Sequence, residues 1–131
     1  MEDGQRGIPA ILIVEDDQLV QQTLEDILIE GGFEVAIVAS GEEAIELFKG
    51  QTSYSAIVTD INLSGEIEGW EVARVAREID AALPIVYMTG AAGHEWPSRG
   101  VPHSILLKKP FAPAQLVTAV SQLLNAATPG E

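Results

Sequence analysis

Short continuous apolar runs alternate with amphipathic stretches along this chain. Ala10-Ile11-Leu12-Ile13-Val14 is apolar at every position, the pattern of a parallel strand covered on both faces. Val20, Leu24, Ile27 and Leu28 then recur at helical spacing, with Asp17 placed to cap that helix and Gly31-Gly32 to stop it. Phe33 to Ala39 reads as a second strand, and Glu34 within it marks a sheet edge. Ser40 with Glu43 forms a capping-box pattern ahead of Ala44, Leu47 and Phe48. Gln51 to Ser55 reads as a turn and Ala56 to Asp60 as a third strand. The loop Ile61 to Glu68 leads to a helix near Gly69–Asp80, with Val72, Val75, Ala76 and Ile79 on one side. Pro84 to Thr89 is a fourth strand. Gly90 to His103 carries Gly93, Pro97, Gly100 and Pro102, which predict a fourth helix that is short or irregular. Ser104 to Lys108 is a fifth strand, and Pro113 opens a last helix with Leu116, Val117, Val120, Leu123 and Leu124 facing the core.

Strand and helix thus alternate five times, which predicts an α/β fold with a doubly wound parallel sheet and right-handed crossovers. No repeat or linker divides the chain. One domain is expected over residues 10–125, with a lead-in at 1–9 and a tail at 126–131; 131 residues are enough for a substantial core.

Composition narrows the function. Twenty acidic against seven basic residues give a net charge of −13, which phosphate backbones repel, and no basic stripe offsets it. Direct nucleic-acid binding is not expected. No apolar run approaches the roughly 20 residues that span a bilayer, and Met1 to Pro9 lacks the layout of a signal peptide. The absence of cysteine excludes disulfides, thiol nucleophiles and thiolate metal sites. A cytoplasmic protein without a membrane partner is expected.

In an open parallel sheet, ligands bind outside the carboxyl ends of the strands where the winding reverses. For strand order 2-1-3-4-5 that point lies between strands one and three. Glu15 and Asp16 follow the first, and Asp60 ends the third. Two such charges about 4 Å apart repel by about 4 kcal/mol at an effective dielectric of 20, so the cluster calls for a cation or a bound proton. All-oxygen donors suit a hard divalent ion such as Mg²⁺. Thr89-Gly90 ends strand four with a hydroxyl beside open backbone, and Lys109 beyond strand five adds a positive charge. Together these groups describe phosphoryl transfer with Asp60 as nucleophile.

Val14-Glu15-Asp16-Asp17, Asp60 with Asn62, Thr89-Gly90 and Lys109-Pro110 occur in order, each at a strand end. In this combination the chain resembles the receiver domain of two-component response regulators, the CheY-like, flavodoxin-like fold, over about residues 10–125. The resemblance implies that Asp60 is the phosphoacceptor, that Asp16 ligates Mg²⁺ directly, and that Glu15 does so directly or through water. It implies that the backbone carbonyl of Asn62 completes the protein's share of the metal. Thr89 and Lys109 would bind the phosphoryl group, and the Lys109–Pro110 bond would be cis. The positions of Asn62 and Ala91, beside Gly90, would tune water's access to the acyl phosphate. The partners implied are a histidine kinase or histidine phosphotransfer protein and a downstream protein target. Because the chain ends soon after the fifth helix, output by protein binding or phosphorelay is expected, with no enzymatic turnover beyond phosphorylation and dephosphorylation of Asp60 itself.

The chain departs from the family pattern in the loop after Asp60, where Ser64 replaces the usual proline and Gly69 falls one residue late. Leu106 stands where many relatives carry an aromatic switch residue. Two other readings compete with the phosphoacceptor. One is a binding module that keeps the fold without being phosphorylated. The other is a Mg²⁺-dependent phosphohydrolase, against which Asn62 stands where such enzymes carry a second acid. Lys108 reads as a solvated charge and His94 and His103 as solvated loop residues, while Trp70 and Trp96 stand as packing residues or as a cover for the site or a partner contact.

Overall fold

The computed structural model describes residues 7–50 and 53–126. Most of the expected lead-in, the first two residues of the expected 51–55 turn and nearly all of the expected tail lie outside them. Five strands, β1 (Ala10–Val14), β2 (Glu34–Val38), β3 (Ala56–Asp60), β4 (Ile85–Thr89) and β5 (Ser104–Lys108), form one parallel sheet in the order β2-β1-β3-β4-β5. The helices are α1 (Gln18–Glu30), α2 (Gly41–Phe48), α3 (Gly69–Ile79), α4 (Trp96–Arg99) and α5 (Pro113–Ala126). The expected architecture is the one observed.

Alternating side chains of the buried strands feed two cores. Ile11, Ile13, Val58, Val86 and Met88 pack under α1 and α5 against Leu24, Leu28, Leu116 and Val120. Leu12, Val14, Ile57, Ile85 and Tyr87 pack on the other face against Ala44, Trp70, Val72 and Ala76. Both faces of the central strands are therefore dry, which explains their unbroken apolar runs.

The helix starts follow from side-chain caps. Asp17 Oδ1 accepts from the Leu19 and Val20 amides, and Ser40 Oγ accepts from the Glu43 amide. Glu43 reaches back to the Ala39 amide, one residue earlier than the capping-box pattern expects. Gly32 takes φ 98° just past α1, a conformation suited to glycine. Between β4 and β5 the glycines and prolines leave only a 3₁₀ turn, Ala92–Glu95, and the single turn of α4. Glu34 is exposed on β2, an edge strand.

Candidate functional site

Strand register builds the site as a staircase. Val14 pairs with Thr59, so Glu15 and Asp60, the next residue of each chain segment, emerge side by side. Asp60 pairs with Met88, which brings Thr89 one step beyond it. Thr89 in turn pairs with Lys108, and the Lys109 amide donates to the Thr89 carbonyl at 2.8 Å. The peptide bond from Lys109 to Pro110 is cis, as the resemblance implies.

The charged groups meet as the sequence predicts. Carboxylate oxygens of Glu15, Asp16 and Asp60 all lie within 4.8 Å of one another. Lys109 Nζ donates to Asp60 Oδ2 at 3.0 Å and to Glu15 Oε1 at 3.5 Å. Glu15 and Asp60 are buried, whereas Asp16 is exposed. Burial of Glu15 pushes its pKa up to about 7, helped by the neighbouring Asp60 charge and opposed by the Asp17 amide and by Lys109. For Lys109, partial burial acts to lower the pKa, but the hydrogen bond and charge of Asp60, with Glu15 behind it, outweigh that and raise it.

Three carboxylates share this space with one ammonium, and one of them is driven toward holding a proton. That excess of anionic oxygen fits a hard divalent cation. The Asn62 amide folds back to Asp60 Oδ1 at 3.3 Å, leaving the Asn62 carbonyl as a further oxygen donor on the same turn. The Asp16 carboxylate accepts from the Ser64 amide at 3.1 Å.

Thr89 is buried, and its Oγ1 accepts from the Ala91 amide at 3.0 Å. Thr89, Gly90 and Ala91 line an opening over Lys109 whose rim is completed by His94 and Lys108. Both rim residues are exposed, in keeping with their reading as solvated.

Leu106 pairs directly with Tyr87 across β5 and β4. Tyr87 is fully buried, stacks at a tilt on Trp70 with ring centroids 4.9 Å apart, and accepts the Val101 amide on its hydroxyl at 3.0 Å. Burial raises the Tyr87 pKa, an effect the Val101 bond partly opposes. An aromatic therefore occupies the core behind Leu106 but comes from β4 and is hydrogen-bonded in place. Trp70 is core, and Trp96 donates to Ser104 Oγ. Arg99 lies 5.6 Å over the Trp70 ring and 3.8 Å from Glu68, linking α4 to the residues around the β3–α3 loop.

The role of Gly69 is set by packing. A Cβ there would overlap the Asp60 carbonyl and approach Ile61 Cα to 2.9 Å. The start of α3 is thus pressed against the end of β3, and only the displaced glycine in the loop hinted at it.

Comparison with known proteins agrees with this geometry. The family model described as the response regulator receiver domain matches residues 11–121. The cell cycle response regulator CtrA of Brucella ovis is 32% identical over 117 residues, covering 88% of this chain and 50% of that protein. The chain therefore spans about half the length of the curated relatives it matches. A crystal structure of a response regulator receiver protein from Sinorhizobium medicae WSM419 is 50% identical with a TM-score of 0.90, covering 92% of this chain and 98% of that one. The receiver domain of a sensor histidine kinase from Pseudomonas aeruginosa PAO1, solved with magnesium ion coordinated in its active-site cleft, is 26% identical with a TM-score of 0.78. It covers 91% of this chain and 99% of that one. Among the described residues, no helix is long and apolar enough to cross a membrane.

Proposed function

The chain belongs to the response regulator receiver domain family, and on that premise we propose that it is a phosphorylatable switch whose acceptor is Asp60. The observation that carries the reading is the pairing of the Asp60 carboxylate with Lys109 at 3.0 Å inside an acidic cluster at the strand ends. An Asp60 oxygen attacks the phosphorus of a phosphohistidine, the phosphorus–nitrogen bond breaks, and the imidazole leaves with the bonding pair and takes up a proton. Lys109 balances the anionic oxygens of the transferred group, and Thr89 with the Gly90-Ala91 backbone borders it.

Glu15, Asp16, Asp60 and the Asn62 carbonyl would hold Mg²⁺. When bound, the ion supplies charge neutralisation for the phosphoryl oxygens. The magnesium in the P. aeruginosa relative's cleft supports this assignment.

The donor is a histidine kinase or histidine phosphotransfer protein acting in the cytosol. An apolar groove between α1 and the β5–α5 loop, lined by Leu19, Val20, Leu24, Ile27, Lys109 and Phe111, supports a docking face there. Leu19, 80% exposed, stands in the lining of this groove. The groove shares Lys109 with the acceptor site, so a partner helix seated in it brings its histidine to Asp60. Signal then passes by protein binding or by onward phosphorelay.

The test is incubation with a small phosphodonor and Mg²⁺, followed by intact-mass measurement of wild type and Asp60→Asn. A covalent phosphoryl adduct on wild type alone is expected. No adduct on either protein would favour a binding module, and repeated turnover of unrelated phosphate esters would favour a hydrolase.

A further inference from the structure

The β3–α3 loop is tied to two earlier parts of the chain through its backbone. The Ser64 amide donates to Asp16 Oδ2, and the Glu66 amide donates to Glu42 Oε2, each at 3.1 Å. Gly65 between them sits at φ 92°, a conformation that glycine adopts readily. That turn lets two amides so close in sequence serve carboxylates from different elements. A Cβ on Gly65 would also stand 3.0 Å from Glu42 Oε1.

Asp16 is solvent-exposed, and an exposed aspartate ordinarily samples several rotamers. The Ser64 contact removes that freedom from a residue 48 positions away. With Oδ2 held by an N–H donor, the plane of the carboxylate is set and Oδ1 keeps its lone pairs for a cation. A proline at position 64, the residue usual in receivers, has no N–H and makes no such bond. The contact is therefore a property of the serine-for-proline departure, through its backbone and not its hydroxyl.

We propose that the Ser64 amide is a positioning group for Asp16, so that Mg²⁺ affinity depends on the conformation of the β3–α3 loop. The inference rests on the assignment of Asp16 as a Mg²⁺ ligand. Linkage makes the dependence mutual: bound Mg²⁺ stabilises the tied loop by the same factor that the tied loop strengthens Mg²⁺ binding.

Calorimetry with Mg²⁺ alone, on wild type, Ser64→Ala and Ser64→Pro, tests it together with the amide NMR spectrum. Ser64→Ala keeps the amide and retains wild-type affinity, whereas Ser64→Pro binds roughly tenfold more weakly or worse. The Ser64 amide resonance shifts as Mg²⁺ is added to wild type. Proline affinity within about twofold of wild type, or equal losses in the alanine and proline variants, overturns the proposal. If the proline variant does not fold, Gly65→Ala strains the same turn; weakened Mg²⁺ binding supports the proposal and unchanged binding overturns it. Failure of wild type itself to bind Mg²⁺ overturns the metal assignment, a result distinct from a Ser64→Pro protein that binds as well as wild type.

Discussion

The Lys109 ammonium stands 3.0 Å from Asp60 and 3.5 Å from Glu15, so one cation compensates two buried carboxylates, one ending β3 and one just beyond β1. Removing it leaves both acids facing each other in a poorly hydrated site. Lys109→Met in the presence of EDTA is expected to lose about 2 kcal/mol of stability, less than a fully buried pair because the lysine is partly exposed. Urea denaturation checks this, and an unchanged midpoint would remove the compensation argument.

Glu15 makes metal-free stability depend on pH. Its folded pKa of about 7 lies above the ordinary value of 4.5, so between these values the native state holds a proton that the unfolded chain has released. The contribution is fully present below about pH 4.5 and is lost as pH rises through about 7. Urea midpoints measured in EDTA across that range should fall for wild type relative to Glu15→Gln. Parallel profiles for the two proteins would show that Glu15 is ionised throughout.

Gly69 starts α3 in close contact with the end of β3. Gly69→Ala places a methyl against the Asp60 carbonyl and Ile61 Cα, backbone atoms that cannot swing aside. A loss of about 2 kcal/mol is expected from such overpacking, together with slower labelling by a small phosphodonor. Wild-type stability and labelling rate in this variant would show that the helix start moves freely.

The docking face proposed for the groove beside Lys109 can be tested apart from the chemistry proposed for Asp60. Leu19→Asp is expected to slow transfer from a phosphorylated histidine phosphotransfer protein by tenfold or more, about 1.4 kcal/mol. Labelling by the small phosphodonor should change far less. Equal slowing with both donors would place the effect of Leu19 in the site and not in docking.

Much of the fold was legible because each element's cause is local. Strand cores are apolar on both faces, Asp17 and Ser40 sit where caps are needed, and the glycines and prolines of 90–103 forbid a long helix. The acids, Thr89 and Lys109 were legible as well, since each follows or ends an apolar run. Other features were not. Tyr87 looked like one more strand residue, and only the β4–β5 register shows it behind Leu106. Ser64 looked like a mere loss of proline, although its amide holds Asp16.

By itself the sequence determined the order of strands and helices and which residues near the strand ends carry charge, because strand and helix patterns depend on neighbours a few positions apart. Tertiary structure decided that Glu15, Asp60 and Lys109 form one electrostatic unit. Those contacts join positions 49 and 94 residues apart. Only the register of a sheet clamped between two helical layers sets such distances.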